Sequence, residues 1–211
     1  MPVQVKICGL STPETLDAAI GGGVAHVGLM FYPPSPRHLE VAQAAALAAR
    51  IPGHVGRVGV FVDPDDALVD AAIAAAGLDT LQVHRATPAR LAALRARTGR
   101  RIWAAVAVRQ RADLAAAADH AGAADLILYD AKTPDGALPG GMGVRFDWEL
   151  LRGFRSPLPW ALSGGLTAEV LPVAVAQSGA RLVDVSSGVE TAPGIKDVDK
   201  IAAFLKAAQQ L

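Results

Sequence analysis

Residues 55–84 read VGRVGVFVDPDDALVDAAIAAAGLDTLQVH, and this stretch decides the fold. Its two ends, Val55 to Val62 and Asp79 to His84, are short and apolar nearly throughout, as strands covered on both faces must be. Between them runs an alanine-rich helical segment around Ala71 to Ala76. Asp63 stands as a capping oxygen before Pro64. A strand, a capped helix and a second buried strand make one parallel βαβ unit.

The same alternation continues in both directions. Further strands are expected at Val3 to Cys8, Ala25 to Phe31, Ile102 to Val108, Asp125 to Tyr129, Leu158 to Ser163 and Leu182 to Ser186. Each is followed by a helical stretch, the last starting near Asp197. Thr12-Pro13-Glu14 and Thr87-Pro88 repeat the capping signal. Gly21-Gly22-Gly23 follows a helix and precedes a strand, the reverse of a dinucleotide-binding turn, so it reads as a helix C-cap. Eight βα units with no surplus segment fit a closed α/β (β/α)8 TIM barrel better than an open doubly wound sheet. No composition break divides residues 1–211, and a single catalytic barrel domain is expected.

Composition narrows the function. Of 211 residues, 52% are hydrophobic, enough for one sizeable core. Lys+Arg and Asp+Glu both number 20, so no basic face for nucleic acid or anionic membrane is expected. The run Arg85, Arg90, Arg95, Arg97, Arg100 and Arg101 reads as the solvated side of a helix whose inner side is Leu91 and Leu94. One cysteine forms no internal disulfide, and Met1-Pro2-Val3-Gln4-Val5-Lys6 lacks the pattern of a secretion signal. A cytoplasmic protein with no membrane span and a small-molecule partner is expected, as a monomer or homodimer. The 5 histidines show no HxxxH or HxH spacing, so no metal is expected.

In a parallel barrel the reactive groups lie at strand C-terminal ends and in the loops beyond them. Cys8 ends the first strand. It is a general-base candidate if its neighbours lower its pKa, and Lys6, two residues back on the same strand face, is placed to contribute. Asp130 follows the sixth strand as the partner acid, or as a turn cap for the loop Ala131 to Gly136. His84, Asp184 and Ser186 also fall at strand ends. Ser163-Gly164-Gly165 and Ser186-Ser187-Gly188 follow strands seven and eight, the pair of loops that most often forms a phosphate site in such barrels. Arg37 sits in the proline-stiffened stretch Tyr32 to His38, a rigid mount for a guanidinium that clamps a carboxylate. Gly140-Gly141-Met142-Gly143 reads as a plain turn.

The ordered motifs Val5-Lys6-Ile7-Cys8-Gly9-Leu10, Ser35-Pro36-Arg37, Val58-Gly59-Val60-Phe61-Val62, Leu81-Gln82-Val83-His84, Phe146-Asp147-Trp148, Ser163-Gly164-Gly165-Leu166 and Asp184-Val185-Ser186-Ser187-Gly188-Val189-Glu190 resemble the phosphoribosylanthranilate isomerase family along essentially the whole chain. That resemblance implies an Amadori rearrangement of N-(5-phosphoribosyl)anthranilate to the carboxyphenylamino-deoxyribulose phosphate, in tryptophan biosynthesis, with no cofactor. It implies that Cys8 is the general base, Asp130 the general acid, Arg37 the ligand of the anthranilate carboxylate, and the two glycine-rich loops the phosphate site. His84 and Asp184 are secondary lining residues. The chain departs from the family pattern at Met142, where threonine is usual, at Arg85, where glycine is usual, and at Ser163, where alanine is frequent. Two rival readings share the scaffold: another phosphosugar isomerase or epimerase, and a non-catalytic binder of a phosphate ligand.

Overall fold

The computed structural model describes residues 2–134 and 140–211. Met1 and the Asp135–Gly136 end of the loop after Asp130 lie outside the described residues. Eight parallel strands close into a barrel in chain order: β1 (Gln4–Cys8), β2 (His26–Phe31), β3 (Gly56–Val62), β4 (Thr80–His84), β5 (Arg101–Val108), β6 (Leu126–Ala131), β7 (Trp160–Leu162) and β8 (Leu182–Val185). The ring closes where β1 pairs with β8, with Lys6 opposite Asp184 and Ile7 opposite Val185. The expected TIM barrel is thus the fold.

Strand periodicity sorts side chains into two compartments, because successive residues point to opposite faces. Val5, Ile7, Val27, Leu29, Phe61, Leu81, Val83, Ile127, Tyr129, Val183 and Val185 face outward and pack with the helices in one buried cluster. Burial of each large apolar side chain contributes roughly 1.5–3 kcal/mol. Cys8, Met30, Val58, Val60, Trp103, Leu126, Leu128, Ala161 and Leu182 form a second, interior cluster. Continuing the inward row by two residues along β6 reaches Asp130, and along β8 it reaches Asp184.

The described residues include six α-helices: α1 (Pro13–Gly21), α2 (Val41–Ala48), α3 (Asp66–Ala76), α4 (Pro88–Thr98), α5 (Leu171–Ser178) and α6 (Val198–Gln209). Thr12 and Thr87 cap α1 and α4 as expected, accepting from Thr15 N and Arg90 N. At α3 the cap is Asp65, which accepts from Leu68 N at 2.8 Å, and not Asp63. Pro64 therefore precedes the cap instead of opening the helix, and Asp63 takes the left-handed backbone (φ 42°) that turns the chain into it.

The expectation of a helix after every strand needs two corrections. After β5 the chain forms a 3-10 segment, Arg111–His120, and after β6 a short one, Trp148–Leu151. The first buries only Leu114 and Ala117, three residues apart, a spacing that suits three residues per turn. Beyond β8, a small hairpin of β9 (Glu190–Ala192) and β10 (Ile195–Lys196) lies outside the barrel. Leu91 and Leu94 are buried under α4, and Arg90, Arg95 and Arg97 pair at its surface with Asp66, Asp125 and Asp70.

Candidate active site

At the C-terminal mouth of the barrel, a cavity open to solvent is lined by Cys8, Arg37, His84, Asp130, Asp184 and Ser186, with Gln82 and Ser163 among the other polar walls. A second cavity adjoins it and shares Asp130, Gly140, Gly141, Ser163, Asp184 and Ser186. Its remaining wall includes Gly164, Gly165, Ser187, Met142 and Gly143. Nine of the ten expected site residues meet in this joined space. Gly188 lies behind it and acts as a spacer: a Cβ there would run into the Leu166 carbonyl oxygen, so only glycine lets the loops after β7 and β8 approach this closely.

Gly164 and Gly165 both take positive φ, 93° and 62°. Added side-chain carbons would meet Ala131 at 2.9 Å and Arg145 at 2.6 Å respectively. Glycine at both positions lets this loop pack directly against those residues while forming part of the second cavity's wall. Gly140 and Gly141, read from sequence as a plain turn, form part of the wall of both cavities.

Asp130 is the penultimate residue of β6 and so sits one step earlier than the sequence suggests. Its Oδ1 accepts from Ala131 N at 2.9 Å. Burial and the nearby Asp184 charge push its carboxyl up to about 6, against smaller opposing effects of hydrogen bonds from Ala131 N and Ser163 and of the Lys6 charge. The group is thus able to carry a proton near neutrality. His84 is held neutral: burial, with the charges of Lys6 and Arg85, lowers its pKa to about 4, and its Nε2 lies 3.1 Å from Gln82 Nε2.

Cys8 does not meet the condition set for it from sequence, a pKa lowered by its neighbours. Burial pushes its thiol up, while the ammonium groups of Lys6 and Lys196 pull the other way without outweighing it. Lys6 is fully buried inside the barrel and bonds Asp184 Oδ1 at 2.8 Å. Burial opposes its charge, but Asp184 and Cys8 together hold the ammonium above its ordinary range. A thiolate formed at Cys8 has a cation waiting beside it.

Arg37 is buried. Its Nε and Nη2 donate to Glu190 Oε1 and Oε2, both at 2.7 Å, and Nη2 also donates to the Gly141 carbonyl at 2.9 Å. Lys196 Nζ donates to the same Glu190 Oε1 at 2.6 Å and to Ser186 O at 3.0 Å. Sequence reading quoted Glu190 within a motif but assigned it no part, and it missed Lys196. Contacts between residues 153 apart leave no local periodicity to read.

Residues 5–207 match the family model described as N-(5'phosphoribosyl)anthranilate (PRA) isomerase. Among curated relatives, the N-(5'-phosphoribosyl)anthranilate isomerase of Zymomonas mobilis subsp. pomaceae is 52% identical over 213 residues, covering 100% of each chain. The crystal structure of phosphoribosyl anthranilate isomerase from Thermotoga maritima superposes with a TM-score of 0.87 at 34% identity, over 99% of this chain and 100% of that one. Another such isomerase, in complex with reduced 1-(o-carboxyphenylamino)-1-deoxyribulose 5-phosphate, gives 0.86 at 31% identity, with 99% and 100% covered. The family model spans nearly the whole chain and a full-length relative is 52% identical, so this chain belongs to the N-(5'-phosphoribosyl)anthranilate isomerase family.

Proposed function

We propose that this chain catalyses the isomerisation of N-(5-phosphoribosyl)anthranilate to 1-(o-carboxyphenylamino)-1-deoxyribulose 5-phosphate, with Asp130 as general acid and Cys8 as general base. The observation that carries this reading is the pairing, on the walls of one cavity, of a carboxyl raised to about 6 and a cysteine flanked by a buried ammonium. Burial raises both groups, so the reactive form, with Asp130 protonated and Cys8 ionised, is the minor arrangement of one shared proton, and the Lys6 ammonium beside the sulfur stabilises it.

Asp130 protonates the furanose ring oxygen, the C1–O bond breaks, and a Schiff base forms between C1 and the anthranilate nitrogen. Cys8 thiolate then takes the C2 proton, and the electron pair moves into the enolamine. Tautomerisation to the ketone completes an isomerisation in which every atom of the substrate is kept. The second cavity, with Gly164, Gly165, Ser186 and Ser187 on its wall, takes the phosphate, while Gly188 sets the loop spacing. Arg37 meets the anthranilate carboxylate, and His84 and Asp184 line the sugar.

No cofactor enters this scheme. The working unit is one catalytic barrel over residues 1–211, a monomer or homodimer in the cytoplasm, serving tryptophan biosynthesis. A crystal structure described as showing monomers of the dimeric Thermotoga maritima isomerase covers 99% of this chain at 33% identity, so both assemblies have a counterpart among the relatives. Among the described residues no helix is long and apolar enough to cross a membrane.

The test is a steady-state assay in which the substrate is generated in place and its fluorescence followed for wild type, Cys8→Ala and Asp130→Asn. Loss of about a hundredfold or more in kcat for each variant supports the two roles. Undiminished turnover in Cys8→Ala removes the cysteine from the mechanism, and an inactive, folded wild type removes the reaction itself.

A further inference from the structure

Glu190 is the junction of two groups that face opposite ends of the site. On one side it holds Arg37 through both guanidinium nitrogens, Nε and Nη2, at 2.7 Å each. Among the described residues the Nη1 edge carries no hydrogen bond, and Arg37 forms part of the first cavity's wall. On the other side Glu190 accepts from Lys196, whose ammonium also donates to Ser186 O at 3.0 Å and bonds Ser186 Oγ at 3.1 Å. Ser186 Oγ donates in turn to the Cys8 carbonyl at 3.1 Å. Glu190 and Lys196 are the paired ends of the β9–β10 hairpin, which fixes their separation.

Charge matters as much as geometry here. Arg37, Lys196 and Glu190 sum to one positive charge, so the cluster still attracts an anion. The carboxylate also keeps a long, otherwise flexible guanidinium in one buried orientation before the ligand arrives, which lowers the ordering cost of binding.

We propose that Glu190 is a positioning residue for the isomerase reaction, presenting Arg37 to the substrate's aromatic carboxylate and, through Lys196, tying the loop after β8 to the same anchor. The proposal rests on the isomerase reading of the site. It distinguishes Glu190 from a residue that merely supports the hairpin, because a support would affect every substrate equally.

The experiment compares N-(5-phosphoribosyl)anthranilate with N-(5-phosphoribosyl)aniline, which lacks the carboxylate, each generated in place from ribose 5-phosphate and the aromatic amine. For Glu190→Gln the expected result is a rise in KM of about tenfold or more for the anthranilate substrate, the worth of one charge-assisted hydrogen bond, and little change for the aniline substrate. Glu190→Asp restores part of the difference. An equal loss with both substrates, or no loss with either, overturns the proposal. If Glu190→Gln does not fold, Glu190→Gln with Lys196→Met removes one unpaired buried ammonium while still releasing Arg37, and the same split between substrates is read. A folded wild type that turns over neither compound overturns the isomerase reading and the positioning role with it.

Discussion

Lys6 Nζ lies 2.8 Å from Asp184 Oδ1 inside the barrel, a buried ion pair between residues 178 apart in sequence that sits directly beneath Cys8. Removing one member of such a pair leaves an uncompensated buried charge. Lys6→Met is therefore expected to cost about 3–5 kcal/mol of stability, and Lys6→Met with Asp184→Asn to recover most of it. Thermal unfolding measures both. Activity is not expected to recover in the double variant, since the ammonium that opposes burial at Cys8 is gone.

The direction of the Cys8 shift predicts a slow thiol at neutral pH. Alkylation of wild type is expected to accelerate with pH to beyond 9, the ordinary value from which burial raises this group, because only the thiolate is nucleophilic. Inorganic phosphate bound in the adjoining loops is expected to slow it. A rate already at its plateau at pH 7 would show that the Lys6 ammonium outweighs burial.

Activity against pH follows from the same two groups. The reactive form carries one proton between Asp130, which titrates at about 6, and Cys8, raised above 9. Below about 6 a second proton is bound, and above the cysteine's pKa none remains. A bell-shaped kcat/KM profile with an acid limb near 6 and an alkaline limb above 9 is expected. The residual activity of Asp130→Asn is expected to lose the bell and rise with pH through the cysteine's pKa, since only the thiolate is then required.

Asp130 and His84 bear on stability with opposite signs. The Asp130 carboxyl binds its proton more tightly in the folded state, about 6 against 3.8, so the fold loses stability as pH rises through that interval, by up to about 3 kcal/mol. Asp130→Asn is then expected to be more stable than wild type at pH 8 and no more stable at pH 3.5. His84 is depressed from 6.5 to about 4, so its contribution is present above 6.5 and is lost as pH falls towards 4. Chemical denaturation at several pH values for wild type, Asp130→Asn and His84→Gln separates the two.

Gly188→Ala tests the contact between the glycine loops. The added carbon would collide with backbone, the Leu166 carbonyl, which cannot swing away as a side chain would. A loss of roughly 1–3 kcal/mol in stability is expected, with weaker protection by phosphate. Gly53→Ala, at a position with open space around it, is the control and is expected to leave phosphate protection unchanged.

The sequence by itself determined the barrel. Strand alternation is a relation between nearest neighbours, and eight runs of it, three followed by capping signals, fit a closed barrel better than an open sheet. The same alternation places Cys8, His84 and Asp130 at strand ends, with Asp184 among them, so most of the site was legible from local spacing. What only the tertiary structure decided was how those groups are paired and how dry they are. Arg37 meets Glu190 across 153 residues, and Lys6 meets Asp184 across 178, because closure of the ring brings β1 against β8 and folds the β9–β10 hairpin under the loop after β2. The upward shift at Cys8, which the sequence left open, has the same origin. Desolvation depends on everything packed around the sulfur, and no window of neighbouring residues contains that information.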